Sequence, residues 1–472
     1  MEFFFSVFFL LVYYVRPQDW IPGLAGMTVV KPIIGAWMIV LVVARSRPSP
    51  LPGLIRTPHD WAMLAYYLYV GFTAPDISGA LKGFLPLVAF YFLTVQSLNT
   101  WPRLLSYLKW WGAALLIVAL FGVLSLFGVD ITGGRELTEI YKGRLSLGTW
   151  MHNNPNALGH SVIVLLPLAY VLYFWKSTAA SRLLLFPSIV GIAAFCAWET
   201  ESKGAFVVGG ILFTLIFVVG RPKLVQVFAV SIAFTLGISA LSFLPRMSEV
   251  GDLRSDEGVQ GRLLAWEMAR AVTKTEPTGL GWNQFAAYIP WREGNQFMIV
   301  RKATHSSYIQ VGADLGIYGM FLYLAGIWCA VRTLLSMQST DDTEERCRRA
   351  ILLMIAGYAL SGWMINRQYH TEYFLLIAAA AAAHRLKKGA EIATTVPTPE
   401  PDPEVSPLLV NLPNEPAQQK RLEITPAFRS PEKTTSGQLR PLWNRPGLAD
   451  LVICAGLAWL TFWAWDYLMQ SI

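Results

Sequence analysis

Charged side chains are scarce in this sequence: they make up 15% of its 472 residues, whereas 54% of the residues are hydrophobic. A soluble domain typically carries about 25% charged residues. The chain therefore has too little polar surface to cover a soluble protein of this length, and its mean hydropathy of +0.43 agrees with that conclusion. These values exclude a soluble enzyme.

Cysteine is equally rare, with four in the whole chain. Cys196, Cys329 and Cys454 lie inside apolar runs, and Cys347 lies in a charged segment. No pair has the spacing of a disulfide framework or of a metal site. The sequence therefore excludes a disulfide-stabilised scaffold, and we predict neither a metal nor another cofactor.

The excess of positive charge is modest, at +7. Most of these charges flank apolar segments, so we expect no nucleic-acid partner.

The first residues, Met1-Glu2-Phe3, lack the positive region and the small-residue cleavage site of a secretory signal peptide. We therefore expect the N-terminal apolar segment to be a retained first span.

Long apolar runs are what the sequence has in abundance. About 20 apolar residues in a helix cross the ~30 Å hydrocarbon core of a bilayer. We predict an all-α polytopic membrane protein with about 12–13 transmembrane helices. The predicted segments are approximately 3–15, 27–44, 60–74, 79–98, 104–127, 157–175, 183–199, 204–220, 223–244, 307–332, 349–365, 371–384 and 449–469.

Basic residues in the short loops indicate the orientation, because cytoplasmic loops of membrane proteins are enriched in Lys and Arg. The basic loops all lie on one side if the N-terminus is cytoplasmic. Their residues are Arg45, Arg47, Arg56, Arg103, Lys109, Lys176, Arg182, Arg221, Lys223, Arg332, Arg346, Arg348, Arg349, Arg385, Lys387 and Lys388.

This orientation divides the chain into three parts. Residues 1–388 form a multi-span membrane domain, whose long periplasmic loop, 245–304, lies between spans nine and ten. Residues 389–446 hold eleven of the 28 prolines and few apolar residues. Such a composition cannot bury enough surface to fold alone. We predict a disordered cytosolic linker there, followed by a C-terminal transmembrane helix over 447–472.

The long periplasmic loop contains an apolar pattern at helical spacing over 258–272, which predicts an amphipathic helix on the membrane surface. Arg262 lies in its first turn, where backbone N–H groups favour anions. This arginine either binds an anion or extends along the interface as a snorkelling side chain. The Gly-rich segment 277–285 lacks the ending of a P-loop and, alone, predicts only a loop.

His305 lies where the tenth span begins, just before Tyr308 and Gln310. An imidazole titrates near ~6.5 and can take a proton from an acceptor hydroxyl. The alternative is a purely structural interfacial histidine. Two further polar groups open spans on the same side: Asn154 and Asn156 before the sixth span, and Lys203 before the eighth. Their alternatives are helix capping and snorkelling.

These pieces together resemble the O-antigen ligase/polymerase family of the Wzy–WaaL type. The ordered match covers roughly residues 145–335. Its parts are Asn154-Pro155-Asn156-Ala157-Leu158, Ser202-Lys203-Gly204, Arg262 to Trp266, Pro277 to Phe285 and His305 to Gln310.

The resemblance implies glycan transfer from an undecaprenyl-pyrophosphate-linked donor to a hydroxyl of a glycan, lipid or protein acceptor at the periplasmic face of the bacterial inner membrane. It implies that His305 is the base or the group that orients the acceptor, and that Arg262 is one of two arginines that hold the pyrophosphate. Lys203 occupies the position of the other arginine, which keeps the charge but loses the bidentate fork. The other predicted substrate-binding residues are Arg254, Arg301, Asn154, Asn156 and Gln310. Arg254, Arg301 or Arg367 is the alternative source of the second guanidinium.

Two other functions remain open at this point. A lipid-linked glycan flippase or another transporter also needs many spans and buried cations, although transporters tend to place charges near the midplane and often contain inverted repeats. Here the unusual residues gather at one face, which favours surface chemistry. That face has no acidic cluster resembling a metal site in the sequence, so we expect Arg and Lys to act without Mg²⁺. A purely structural scaffold leaves the basic periplasmic loop unexplained.

Overall fold

The computed structural model describes residues 1–45, 55–141, 143–218, 222, 224–228, 231, 257–293, 296–395, 442–443 and 445–471. The protein is an all-α polytopic membrane protein, as the apolar runs predict. Its longer helices are α1 Glu2–Tyr14, α3 Val30–Arg45, α4 Pro58–Thr73, α5 Ile77–Ser97, α6 Trp101–Leu126, α10 Phe186–Glu199, α11 Lys203–Val218, α12 Glu257–Thr275, α13 Ser307–Ser336, α14 Asp342–Ser361, α15 Thr371–Thr395 and α16 Leu448–Ser471. Shorter helices are α2 Pro17–Trp20, α7 Arg135–Ile140, α8 Pro155–Val162 and α9 Leu165–Ala169, with a 3₁₀ turn over Pro22–Leu24.

Six helices in the described part of the chain are long and apolar enough to cross a membrane. One of them, Pro155–Phe174, combines α8, α9 and the π turn Tyr170–Phe174; another, Ser181–Glu199, combines the π turn Ser181–Leu185 with α10. Three shorter apolar helices, α1, α3 and α11, accompany them. Every predicted apolar segment coincides with a helix except 223–244, most of which lies outside the described residues.

Ion pairs join several basic loops at one face of the helix bundle. Arg103 Nη1 lies 2.8 Å from Glu2 Oε1, and Lys176 Nζ lies 2.7 Å from Asp342 Oδ1. The end of α15 meets the start of α14 through a 3.0 Å pair of Lys387 with Glu344. These contacts agree with the grouping of basic loops on one side, while the identity of that side as cytoplasmic stays a prediction.

The loop predicted between spans nine and ten contains more regular structure than the sequence indicated. The predicted helix is confirmed as α12, while its position on the membrane surface stays a prediction. The chain then forms an antiparallel hairpin, β1 Ala287–Glu293 and β2 Gln296–Lys302, which sequence analysis missed. Pro290 and the charged residues interrupt the apolar alternation that identifies a strand. The hairpin positions the segment that leads directly into His305.

Helix α13 is interrupted at Gly316, whose φ of +65° favours glycine. The Gly-rich turn 277–281 supplies backbone partners for this interruption. Ile317 N donates to Pro277 O at 3.0 Å, and Gly281 N donates to Asp314 O at 2.7 Å. A Cβ on Gly316 would overlap the Pro277 carbonyl. The Gly-rich segment is therefore built into the helix interruption just beyond the site.

Helix α15 continues to Thr395, into the segment predicted as a disordered linker. The part of α15 that enters the linker, 389–395, contains Ala and Glu, which favour helix, and the linker has no proline before Pro397. Most of the remaining linker lies outside the described residues.

Candidate functional site

A small cavity of about 190 Å³ brings together residues from three of the motifs singled out in the sequence. Asn156 from α8, Lys203 from α11 and Arg262 from α12 all contribute to its wall. We call it the cationic cavity. Its lining residues are Asn156, His160, Ser202, Lys203, Gly204, Val207, Arg262 and Met364.

Close packing of α11 on α8 forms one wall of the cationic cavity. A Cβ on Gly159 would lie 2.8 Å from Thr200 Oγ1 and 2.9 Å from the Ala205 Cβ. A Cβ on Gly204 would lie 3.1 Å from His160 Nε2. The two glycines therefore allow the turn that carries Lys203 to approach α8 closely.

The two asparagines have different roles in the structure. Asn154 is the N-cap of α8, and its side-chain oxygen accepts from Asn156 N at 2.9 Å. Asn156 Oδ1 accepts a 2.9 Å hydrogen bond from Arg144, whose Nε also donates to Thr200 O at 3.0 Å. Sequence analysis did not single out Arg144, which connects the start of α8 to the turn before Lys203.

His160 is a second residue of the site that sequence analysis missed. It is buried in α8, one turn after Asn156, and its Nδ1 lies 2.9 Å from Ser361 Oγ. Its Nε2 has no hydrogen-bond partner among the described residues. His160 follows Asn156 at i, i+4 spacing, which places both side chains on one helix face. This spacing is the feature of the sequence that could have identified His160.

His305 lies between β2 and α13 in a left-handed backbone conformation, with φ of +50°. Its neighbours fix it in place. Trp266 Nε1 donates to Thr304 O at 2.7 Å, and Ser306 caps α13 while donating to Gly362 O at 3.2 Å. Helix α12 thus contributes Arg262 to the wall of the cationic cavity and, through Trp266, a hydrogen bond to the backbone beside His305.

The surroundings of His305 keep its imidazole neutral. Burial is the largest cause, followed by the positive charges of Arg262 and Lys302, and together they lower its pKa to about 4. At neutral pH the ring can therefore accept a proton. His305 itself is not among the residues that line the cavity of Lys203 and Arg262.

A second and larger cavity has a volume of about 490 Å³. We call it the aromatic cavity, because Trp150, Trp282, Phe285 and Tyr369 line it together with several amides. Its complete lining is Trp150, Trp282, Asn283, Phe285, Ala286, Arg301, Lys302, Ala303, Gln310, Asn366, Gln368, Tyr369 and His370. Two predicted residues, Arg301 and Gln310, therefore belong here and not in the cationic cavity.

The loop between α14 and α15 is shared by the two cavities. Met364 lines the cationic cavity, and Asn366 lines the aromatic cavity two residues later. Lys302, which acts on His305 electrostatically, lines the aromatic cavity, and Arg262 lines the cationic one. His305 therefore lies close to charged residues of both cavities.

Residues from distant parts of the chain thus form the cationic cavity, and His305 is held neutral. One comparison with known protein families agrees with this arrangement. Residues 188–324 match the model of the family described as O-Antigen ligase. Over this segment the chain is similar to the O-antigen ligase family. The comparison with curated proteins finds no match.

The O-antigen ligase match contains Lys203, Arg262, His305 and Gln310 but stops before the loop that both cavities share. Asn156 and His160 lie before it. The predicted resemblance is thus confirmed over the segment that carries both cavity cations and the histidine.

The remaining predicted residues are not brought into the cationic cavity. Arg254 lies outside the described residues. Gln310 is buried, with its Nε2 donating to Phe285 O at 3.0 Å and to Asp314 Oδ2 at 3.1 Å. Arg367 is 3% exposed, pairs with Glu372 at 2.9 Å and does not line the cationic cavity.

No group of three or more His, Cys, Asp or Glu residues is placed to hold a metal ion in the described part of the chain. Metal independence remains a prediction.

Proposed function

We propose that this protein transfers a glycan from an undecaprenyl-pyrophosphate-linked donor to an acceptor hydroxyl at the periplasmic face of the bacterial inner membrane. The observation that carries the proposal is that Lys203 and Arg262 line one cavity. Arg262 is also one of the two positive charges that lower the pKa of His305. The O-antigen ligase match supports the same class of reaction.

The cationic cavity is suited to the donor pyrophosphate. As the bond between the anomeric carbon and the pyrophosphate oxygen breaks, negative charge accumulates on the leaving group. Positive groups fixed in advance stabilise that charge more in the transition state than in the ground state. Lys203 and Arg262 would provide this stabilisation without a metal ion, with the lipid tail in the surrounding membrane.

The neutral His305 is suited to activate the acceptor. In the proposed step, the acceptor oxygen bonds to the anomeric carbon while its proton passes to the imidazole. Undecaprenyl pyrophosphate leaves, and the histidine later returns the proton to solvent. A positioned base typically contributes about 10²–10⁴-fold to such a rate.

The aromatic cavity is suited to the acceptor sugar. Flat aromatic side chains and a few fixed polar groups are the usual lining of small-molecule sites. Gln368 and His370 each present a polar atom that has no hydrogen-bond partner among the described residues. Sugar hydroxyls could supply those partners while the ring lies against Trp282 and Tyr369.

The test is transfer by purified protein in liposomes, supplied with a lipid-linked donor and an acceptor. We expect Arg262→Ala to abolish most transfer, and Lys203→Arg to retain or improve it because the arginine fork suits a phosphate. Arg135→Ala, an exposed arginine outside both cavities, is the matched control. Normal transfer by Arg262→Ala would show that this arginine only snorkels. Donor movement across the bilayer without product would identify a transporter.

A further inference from the structure

The C-terminal helix α16 lies outside the O-antigen ligase match, yet it is joined to the helix that carries Arg262. Arg270 of α12 forms a two-pronged ion pair with Asp466 of α16: Nε and Nη2 each lie 2.6 Å from a carboxylate oxygen. Arg270 Nη1 also donates to Thr273 Oγ1 at 3.0 Å. Two parallel hydrogen bonds fix orientation as well as distance.

An aromatic pair extends this contact to α13. Phe462 and Trp465 are stacked with centroids 5.8 Å apart, and the Arg270 guanidinium lies 5.3 Å and 5.7 Å from the two ring centroids. A Cβ on Gly312 of α13 would lie only 3.1 Å from Trp465 and 3.4 Å from Phe462. Helix α16 is therefore packed into the same part of α13 that follows His305.

The other end of α16 is attached separately. Asp450 forms an ion pair with Arg332 near the end of α13 and accepts from Trp328 Nε1 at 2.9 Å. Asp450 thus attaches one end of α16 to α13, and Asp466 attaches the other end to α12. The two ion pairs involve different partner helices, so they can be separated by mutation.

We propose that Asp466 is a positioning residue, which acts through Arg270 to hold α12, and with it Arg262, in register with His305. Arg270 follows Arg262 by about two helical turns, so rotation or sliding of α12 at Arg270 would displace Arg262 in the cationic cavity. The inference rests on the proposed transfer reaction. It gives the last helix a role in the site beyond anchoring the chain in the membrane.

The experiment compares Asp466→Asn with Asp450→Asn in full-length, lipid-reconstituted protein. We expect Asp466→Asn to lower kcat, normalised to the amount of protein that binds donor, by about 10- to 100-fold. Small misplacements of reacting groups slow reactions by factors of this size. Asp466→Glu should recover part of the rate. Combining Asp466→Asn with Arg270→Gln should cost little more than either change alone, since both remove one pair.

Hydrogen–deuterium exchange of residues 257–275 gives a readout that is independent of activity. The proposal expects faster exchange there in Asp466→Asn but not in Asp450→Asn. Wild-type kcat and unchanged exchange in Asp466→Asn would overturn it. The proposal would also be overturned if Asp466→Asn and Asp450→Asn lost kcat to the same extent and lost thermal stability to the same extent. In that case α16 would only stabilise the fold. Inactive wild-type protein would contradict the proposed reaction, while the exchange comparison would still test the contact.

Discussion

At the residue scale, the neutral state of His305 depends on its neighbours. Burial, Arg262 and Lys302 lower its pKa to about 4. Below that pKa the imidazole is protonated and cannot act as a base, so the transfer rate should fall as pH drops through about 4. An unperturbed histidine would instead lose its rate near ~6.5.

Lys302→Gln tests this dependence directly. Removing one positive neighbour should raise the pKa of His305 and move the acidic limb of the kcat–pH profile to higher pH, while burial and Arg262 keep it below ~6.5. Arg301→Gln, the adjacent residue on β2, is the control and should leave the limb in place. An acidic limb that does not move in Lys302→Gln would mean that a different group titrates.

At the scale of helices, the approach of α11 to α8 sets the width of the cationic cavity. An alanine Cβ at Gly204 would lie 3.1 Å from His160 Nε2 and from the Met364 Cβ, which is tighter than ordinary packing. We expect Gly204→Ala to weaken donor binding because the added methyl group enters the cavity wall. If binding loses the ~1–3 kcal/mol that overpacking typically costs a fold, affinity falls by about 5- to 160-fold. Titration of reconstituted protein with donor measures this effect.

Gly210 provides a matched control on the same helix, since a Cβ there meets nothing within 4 Å. Gly210→Ala makes the same change in composition and helix propensity without entering the cavity. Equal donor affinity in the two variants would contradict the assignment of the donor to this cavity.

Helices were the part of the structure that the sequence predicted best, because long apolar runs such as 104–127 can only be satisfied as membrane helices. The meeting of Lys203 and Arg262 was also predictable, since both followed from recognisable local motifs. His160 and Arg144 were missed because their roles come from contacts between segments distant in sequence. The aromatic cavity was missed for the same reason: Trp150, Trp282 and Tyr369 come from three separate loops.

At the scale of the whole molecule, orientation decides which compartment the site faces. Pro290 is exposed on β1, and Glu415 lies in the Pro-rich segment. All four native cysteines are buried, so an introduced cysteine should label above a low background. In intact spheroplasts, a membrane-impermeant maleimide should label Pro290→Cys and not Glu415→Cys. The reverse pattern would place both cavities on the cytoplasmic side and reject the proposed periplasmic reaction.

Donor binding and turnover, measured separately in purified and lipid-reconstituted protein, test the central claim most directly. That claim divides the work between Arg262, which holds the pyrophosphate, and His305, which takes the acceptor proton. We expect His305→Gln to bind donor normally while turnover falls by at least ~10²-fold, and Arg262→Ala to lose donor binding. Near-normal turnover in His305→Gln, or normal donor binding in Arg262→Ala, would contradict it.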